Sequence, residues 1–422
     1  MIDRRHAPPF REIAHLVMPE PEIRRLSQGI PLYCIPGSSQ ELVKLEVIFQ
    51  VGRLHEKQPL AARAAGRLIR EGAAGLDGTT IADLTDFYGG SISTTDSMDH
   101  TGLALHCLSR FFQDLLPVLS AMILEPSFPE KEFQLFIRNN QQRLSEDLSK
   151  NEVVAYREMT AMVFGADHPY GWNSFPDTYA ALQRQDVITF WQDHFLQGNA
   201  LLILSGHYDD TMVEAIDQQL CRHLRPGVSP TVFPAPAPVV HRELRVQERD
   251  SLQNAVRIGR LLFDRTHPDY YPMHAVNLIL GGYFGSRLMT QIREELGLTY
   301  NIYSHIDALR YSGYFYISAE VSKEETQRTL DEIRKEILRL REEPVGAEEL
   351  LMMQRFAAGN LLHLLDGPFN RADTLKNLLI EGGTFDDFNQ LVHAIRSITP
   401  AEVREMARQW LDPDQMVEVV IG

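Results

Sequence analysis

The chain has 422 residues, of which 44% are hydrophobic and 23% charged, and its formal net charge is −16. This length predicts about two to four domains with cores of ordinary size. The acidic balance excludes a nucleic-acid-binding protein, because phosphates are neutralised by clustered Lys and Arg. Two interpretations of the acidity remain open, namely solubility and attraction of basic substrates.

The amino terminus and the cysteines bear on the compartment. No apolar segment follows the first basic residues, so we predict no signal peptide, and no run of about 18 apolar residues predicts a membrane span. Cys34, Cys107 and Cys221 lie far apart and fit no metal-ligand spacing. They are predicted to be buried apolar residues of a reducing compartment. We therefore expect a cytoplasmic protein.

The first half of the chain alternates strand and helix patterns. Apolar residues recur at period two from Leu45 to Val51, which predicts a strand. Pro126 separates two later helical stretches. The same reading predicts a helix near 60–71, a turn into a strand at 88–93, a strand over 101–108 and helices over 111–124 and 130–148.

A proline-rich segment divides the chain nearly in half. Residues 226–238 contain five prolines, which exclude a helix or a central strand and predict a semi-rigid extended linker. The order of elements then repeats. The second half predicts strands over 255–263, from 297 onwards and over 313–319, and helices over 271–280, 324–342 and 347–365.

The repeated order indicates duplication of one domain. The matching helix pairs of the two halves lie roughly 210–220 residues apart. We predict an α+β fold with two homologous domains, residues 1–225 and 239–422. Each domain is expected to be a largely antiparallel sheet with helices packed on one face.

Residues 280–300 form the most informative motif. Their glycines do not fit the spacing of a phosphate-binding loop. A turn between two helices, with the second helix ending at Gly297, accounts for the backbone. It does not account for Ser286-Arg287-Leu288 being followed by Arg293 and Tyr300.

This motif resembles the second-domain signature of the pitrilysin/insulinase metallopeptidase family, which includes the mitochondrial processing peptidases. The family pattern is Gly-Gly, a small residue, Ser-Arg-Leu, Arg-Glu and Gly-Leu-x-Tyr. The resemblance extends to residues 26–33, 49–53, 88–92, 164–171 and 252–259. It implies two domains arranged as a clamshell. It also implies that Arg293 and Tyr300 contact the substrate backbone near a zinc centre, where an Arg fork can hold a carbonyl and a phenol can stabilise an oxyanion.

The chain departs from the family at the zinc motif. Active members carry H-x-x-E-H on a first-domain helix, with two His ligands and a Glu base. The resemblance places these positions at Arg63, Gly66 and Arg67, and the third ligand near Gln142 and Arg143. Guanidinium groups have no lone pair for a metal. We expect this chain to bind no zinc and its partner subunit to carry the metal.

Histidines elsewhere in the chain could replace the missing zinc ligands. His55 and Glu56 follow a strand and are predicted to be solvent-exposed. His100 and His106 share one face of a strand and are predicted to be buried or edge residues without a third ligand. His168 is expected to pack in a loop between helices.

Three functions are compatible with these sequence features. The favoured one is the non-catalytic subunit of a heterodimeric zinc peptidase, which binds an extended peptide by strand addition and supplies Arg293 and Tyr300 to a zinc-bearing homologue. The alternative is a pseudoenzyme with a structural or protein-binding role. A peptidase with an unrecognised site is the third. Self-association of the isolated chain is left open.

Overall fold

The computed structural model describes residues 13, 15–37, 40–230, 233 and 243–422. The first-half strands are β1 (Glu22–Arg25), β2 (Pro31–Pro36), β3 (Leu42–Phe49), β4 (Gly72–Ala73), β5 (Leu76–Asp77), β6 (Ser91–Asp96), β7 (Thr101–Leu108) and β8 (Ala200–Gly206). The first-half helices are α1 (Ala61–Leu68), α2 (Gly78–Phe87), α3 (Phe112–Leu124), α4 (Glu130–Asp147), α5 (Asn151–Phe164), α6 (Pro176–Ala181), α7 (Arg184–His194) and α8 (Asp210–Gln219).

The second half repeats this plan. Its strands are β9 (Glu243–Gln247), β10 (Gln253–Leu262), β11 (Thr299–Ala308), β12 (Gly313–Ser322) and β13 (Val417–Ile421). Its helices are α9 (Tyr270–Asn277), α10 (Thr326–Glu342), α11 (Ala347–Leu364), α12 (Gly367–Ile380), α13 (Asp386–Ser397) and α14 (Pro400–Trp410). The strands and helices predicted from apolar periodicity all appear, with shifts of a few residues at their ends.

The two large sheets have matching strand orders. The first is ordered β6-β7-β3-β8-β2-β1 and the second β11-β12-β10-β13-β9. In both sheets the strand from the end of the domain runs parallel to the strand from its beginning, β8 with β2 and β13 with β9. The other pairings in the two sheets are antiparallel. This shared topology confirms the predicted duplication.

Each half covers one sheet face with its own helices. Phe49, Leu105 and Leu116 lie in the core of the first half, and Ile258, Phe315 and Ile333 lie in that of the second. The other face of each sheet is covered by a helix from the opposite half. Helix α12 packs on β8 and β2, whereas α5 packs on β10 and β13. Helices of the same domain pack on one face of each sheet, as predicted. The prediction did not include the helix of the other domain that covers the second face.

The exchange of helices ties the halves together. Lys376 of α12 donates to Glu46 of β3 at 2.7 Å, and Lys44 donates to Asp373 at 2.9 Å. The predicted linker 226–238 lies partly outside the described residues, and its first residues are docked on the first half, where Gly198 N donates to Gly227 O at 2.9 Å. The domain boundaries at 225 and 239 stay predictions.

The cysteines are buried free thiols, as predicted. Burial raises the pKa of Cys107 to about 12 and that of Cys34 to about 11, so both side chains stay protonated apolar groups. Among the described residues, no helix combines the length and the apolar composition needed to cross a bilayer.

The exposure predicted for His55 and Glu56 is wrong. The turn folds back onto the start of α1, where Glu56 accepts hydrogen bonds from Leu60 N at 3.1 Å and Ala62 N at 2.9 Å. Burial raises the pKa of Glu56 to about 7, and burial lowers that of His55 to about 4. Glu56 therefore caps the helix that carries the degenerate zinc motif.

The burial predicted for His100 has a pH consequence at the interface between the halves. Burial, and then the charge of Lys376, lowers the pKa of His100 to about 4, and Ser97 Oγ lies 2.6 Å from its Nδ1. Between pH 6.5 and 4 the unfolded chain binds a proton that the folded chain does not, so stability falls as pH falls. We expect His100→Asn to reduce the loss in the free energy of unfolding between pH 6.5 and 4 by about 3 kcal/mol.

Urea unfolding of wild type and His100→Asn between pH 4 and 8 measures this difference. Other titrating groups are common to both proteins and cancel from the comparison. His223→Asn, at an exposed position, serves as the matched control. Identical pH slopes for wild type and His100→Asn would contradict the assignment.

Candidate functional site

The backbone around residues 278–297 places one half of the candidate site. Helix α9 continues as a π-helical turn over Leu278–Gly282, and a second π-helical segment covers Met289–Glu295. Gly281 is required by close packing, because a Cβ there would lie 2.5 Å from Ser304 N of β11. Gly297 ends the second segment in the left-handed region at φ 63°, as predicted. Short π-helical segments of this kind are frequent at functional sites.

Arg293 and Tyr300 are neighbours in the structure. The Arg293 guanidinium carbon lies 5.6 Å from the Tyr300 ring centroid and 4.8 Å from the Phe284 ring centroid. Tyr300 is 87% exposed, and Phe284 is also exposed. Within the described residues, Arg293 makes no ion pair. The guanidinium is thus held between two aromatic faces with its hydrogen-bond donors available.

Sequence reasoning missed Phe284 as part of this group. It lies in the turn between the two π-helical segments, where neither period two nor period 3.6 applies. The only signal was a large aromatic residue within a glycine-rich turn, which is an unusual place for one.

Ser286-Arg287-Leu288 has a structural role. Ser286 and Leu288 are buried. Arg287 makes a two-pronged ion pair with Glu349 of α11, with Nε to Oε1 at 2.7 Å and Nη2 to Oε2 at 3.1 Å. This triplet fixes the turn carrying Phe284 onto the second domain, which accounts for its place in the motif.

The Arg293 and Tyr300 pair and the degenerate zinc positions each lie beside the edge strand of a sheet. Within the described residues, strand β6 pairs only with β7, and β11 pairs only with β12. Strand β6 has the sequence Ser-Ile-Ser-Thr-Thr-Asp, without the Lys, Pro or bulge that commonly protect an edge. Tyr300 lies at the start of β11. Strand β6 can therefore accept the backbone of an added strand along its length, and β11 can do so beyond its irregular pairing with β12 between Thr299 and Ile302.

The degenerate zinc positions lie beside the end of β6. Both Arg63 and Arg67 of α1 face Asp96, with Arg63 Nε 3.8 Å from Oδ2 and Arg67 Nε paired to Oδ1. Burial raises the pKa of Asp96, and the two arginines oppose that rise. A Cβ at Gly66 would lie 2.9 Å from Thr101 Cγ2, so the position where the family has its Glu base is filled by the neighbouring strand.

These residues do not fit zinc. Arg63 and Arg67 offer only donors, and Gly66 offers no side chain. Gln142 and Arg143 lie on the exposed side of α4, and neither is a carboxylate. Within the described ranges, no group of three or more His, Cys, Asp and Glu side chains is placed to hold a metal ion. The chemistry of the position is that of an arginine cluster.

Restoring the motif alone is expected to be insufficient for zinc binding. We expect the triple variant Arg63→His, Gly66→Glu, Arg67→His to retain far less than one zinc per chain after dialysis, because the position of the family's third ligand, near Gln142 and Arg143, carries no carboxylate. The Gly66→Glu change alone should cost about 1–3 kcal/mol through overpacking against Thr101. Adding Arg143→Glu should raise zinc retention.

Zinc content by elemental analysis and urea unfolding of each variant test these expectations. Gly66→Ala isolates the steric cost of a Cβ. One zinc per chain in the triple variant would show that a third ligand is already in place, and one zinc in the wild type would reopen the case for an unrecognised peptidase site.

Comparisons with known proteins agree with this geometry. The family model described as the peptidase M16 inactive domain matches residues 181–355, which include Arg293 and Tyr300. The chain is 19% identical over 345 residues to an uncharacterized zinc protease, YmxG, of Bacillus subtilis, covering 81% of this chain and 83% of the relative. It is 21% identical over 399 residues to an uncharacterized zinc protease of Rickettsia bellii, covering 92% and 94%.

Solved structures share the fold. A peptidase M16 inactive domain from Pseudomonas fluorescens matches with a TM-score of 0.88 at 22% identity, covering 95% of this chain and 98% of that one. A protease from Helicobacter pylori matches with a TM-score of 0.85 at 16% identity, covering 96% and 99%. The likeness confirms the predicted α+β fold of two homologous domains in a clamshell arrangement.

Proposed function

We propose that this chain, which is a non-catalytic relative of the M16 peptidases, binds an extended peptide and completes the zinc site of a homologous partner. The observation that carries the proposal is the exposed group of Arg293, Phe284 and Tyr300. Because the part of the chain that the structure describes holds no metal site, a guanidinium and a phenol at a sheet edge have no catalytic use within it.

Peptide binding by strand addition is supported by the two open edges. Backbone hydrogen bonds along β6 or β11 give affinity that is largely independent of sequence, and neighbouring side chains give specificity. Tyr300 lies at the beginning of β11, so a peptide along that edge runs past the phenol and the Arg293 fork. An extended peptide is thus the ligand shape that both edges favour.

The two side chains have separate roles in this proposal. The planar Arg293 fork holds a peptide carbonyl and fixes the register of the chain. The Tyr300 hydroxyl donates to the carbonyl oxygen that becomes negative as the peptide bond is attacked. Zinc in the partner would supply the attacking water.

Native purification from the source cells, followed by peptide hydrolysis, tests the proposal. We expect a homologous partner of similar size that bears H-x-x-E-H, and hydrolysis of a quenched fluorescent peptide mixture by the complex but not by this chain alone. Recovery with itself only, or in an unrelated assembly, favours the alternative of a structural or protein-binding pseudoenzyme. Cell fractionation in the same experiment checks the cytoplasmic location that we infer from the three free thiols.

A further inference from the structure

We propose that the arginine cluster at the degenerate zinc position is an anion site that binds a carboxylate of a peptide lying along β6. The inference deepens the proposed peptide binding and rests on it. It assigns a ligand class, an acidic peptide group, to residues that the lost metal site leaves without a function.

The cluster has more positive than negative groups. Arg63 and Arg67 lie one helical turn apart on α1 and share the single carboxylate of Asp96. Lys150 donates to Asp147 at 2.8 Å, and after this bond the charges of Lys150, Arg143 and Arg63 lower the pKa of Asp147 further. Asp147 is paired with Lys150, and Asp96 is the carboxylate that faces the two guanidinium groups of Arg63 and Arg67.

The outer edges of both α1 guanidiniums are accessible. The side chain of Arg63 is 42% exposed and that of Arg67 is 54% exposed, whereas Asp96 is 12% exposed. Both arginines approach Asp96 through Nε, and within the described residues no hydrogen bond to their terminal nitrogens is seen. The two arginines therefore combine partly exposed side chains on one helix face with terminal donors that have no partner among the described residues.

A further cation lies behind α1. Arg53 is largely buried and donates to Pro169 O at 2.9 Å and Trp172 O at 2.8 Å. Burial lowers the pKa of Arg53, the charge of Glu56 opposes this shift, and the charge of Arg63 adds to it. In a chain of net charge −16, a local excess of cations is a departure from the general surface.

The position suits a carboxylate brought in by an added strand. The backbone carbonyl of Thr95 and the Cβ of Asp96, at the end of β6, lie within 3.6 Å and 3.3 Å of a Cβ built at Gly66, between the two arginines in sequence. A peptide paired with β6 therefore passes the cluster at the Asp96 end of that strand. Planar guanidinium forks match carboxylates through paired charge-assisted hydrogen bonds. The arginines place positive charge beside β6, at the position where active members of the family bind zinc.

A competition between peptide libraries tests the inference. Immobilised full-length chain is offered an equal mixture of two degenerate dodecapeptide libraries, one with a free terminal carboxylate and one with a terminal amide. We expect wild type to retain carboxylate-bearing peptides at least about fivefold better than Arg63→Gln/Arg67→Gln does. Arg70→Gln, an exposed arginine paired with Glu71 outside the cluster, should behave as wild type.

Asp96→Asn gives a test in the opposite direction. It removes the internal carboxylate that competes for the forks, so we expect retention of acidic peptides to rise, a result that general damage to the fold would not produce. Enrichment of free-acid peptides identifies the terminal carboxylate, and enrichment of internal Asp or Glu identifies a side chain. Either outcome supports the site.

Two negative outcomes are distinguishable. If wild type retains peptides without preferring carboxylates, or if Asp96→Asn weakens their retention, the anion site is overturned and peptide binding stands. If wild type retains no peptide from either library, the proposed peptide binding itself fails and the anion site fails with it.

Discussion

Replacing Arg293 by alanine is expected to lower kcat/KM of the proposed complex with a zinc-bearing partner roughly 100-fold, because a substrate that loses its register fork is misplaced relative to the reacting groups. The folded chain should tolerate the change. Arg293 is partly exposed, forms no ion pair within the described residues, and lies over the exposed rings of Phe284 and Tyr300. Assembly with the partner is expected to continue at wild-type concentrations.

Conservative variants separate the roles of the two side chains. Arg293→Lys keeps the charge but loses the planar fork, so it should recover only part of the activity. Tyr300→Phe keeps the ring under the guanidinium and removes the hydroxyl, so kcat should fall with little change in KM. Arg328→Ala, in an exposed pair with Glu325 on α10, is the matched control. Wild-type rates in the complex with Arg293→Ala would refute the assigned role.

The duplicated fold could be predicted from the sequence because each domain repeats a local order of elements. Helix α3 ends two residues before Pro126, and α10 ends two residues before Pro344. Because proline cannot continue a helix, these two helix ends could be predicted from the local sequence. The exchange of α5 and α12 between the halves could not be predicted. The apolar residues of α5, such as Met159 and Val163, indicate a buried face but not which sheet covers it.

The candidate site was predictable where its parts are close in sequence. Arg293 and Tyr300 lie on the same motif, and a helix end at Gly297 was enough to bring them together. The pairing of Asp96 with the two α1 arginines could not be predicted, because it depends on how β6 packs against α1. The capping role of Glu56 was missed for a similar reason, because a tight turn reverses the chain onto a helix start.

Arg287→Ala is expected to be the most destabilising single charge change in the motif, at about 2–4 kcal/mol in the free energy of unfolding. The Arg287 side chain is 10% exposed and its partner Glu349 is 30% exposed. Removing the arginine leaves a carboxylate that water can still reach, which limits the loss. Removing the carboxylate leaves a buried guanidinium, so Glu349→Ala should cost at least as much as Arg287→Ala.

Urea unfolding of both single variants and the double variant measures this asymmetry. The double variant should recover a coupling of about 1.5–3 kcal/mol, because it leaves no unpaired charge. Arg328→Ala, which breaks an exposed pair, should cost no more than about 1 kcal/mol. The pair also holds the turn of Phe284 on α11, and Arg293 rests on that ring. Arg287→Ala should therefore lower the activity of the assembled complex even where the chain remains folded, whereas full activity in the folded variant would show that Arg293 is positioned without the turn.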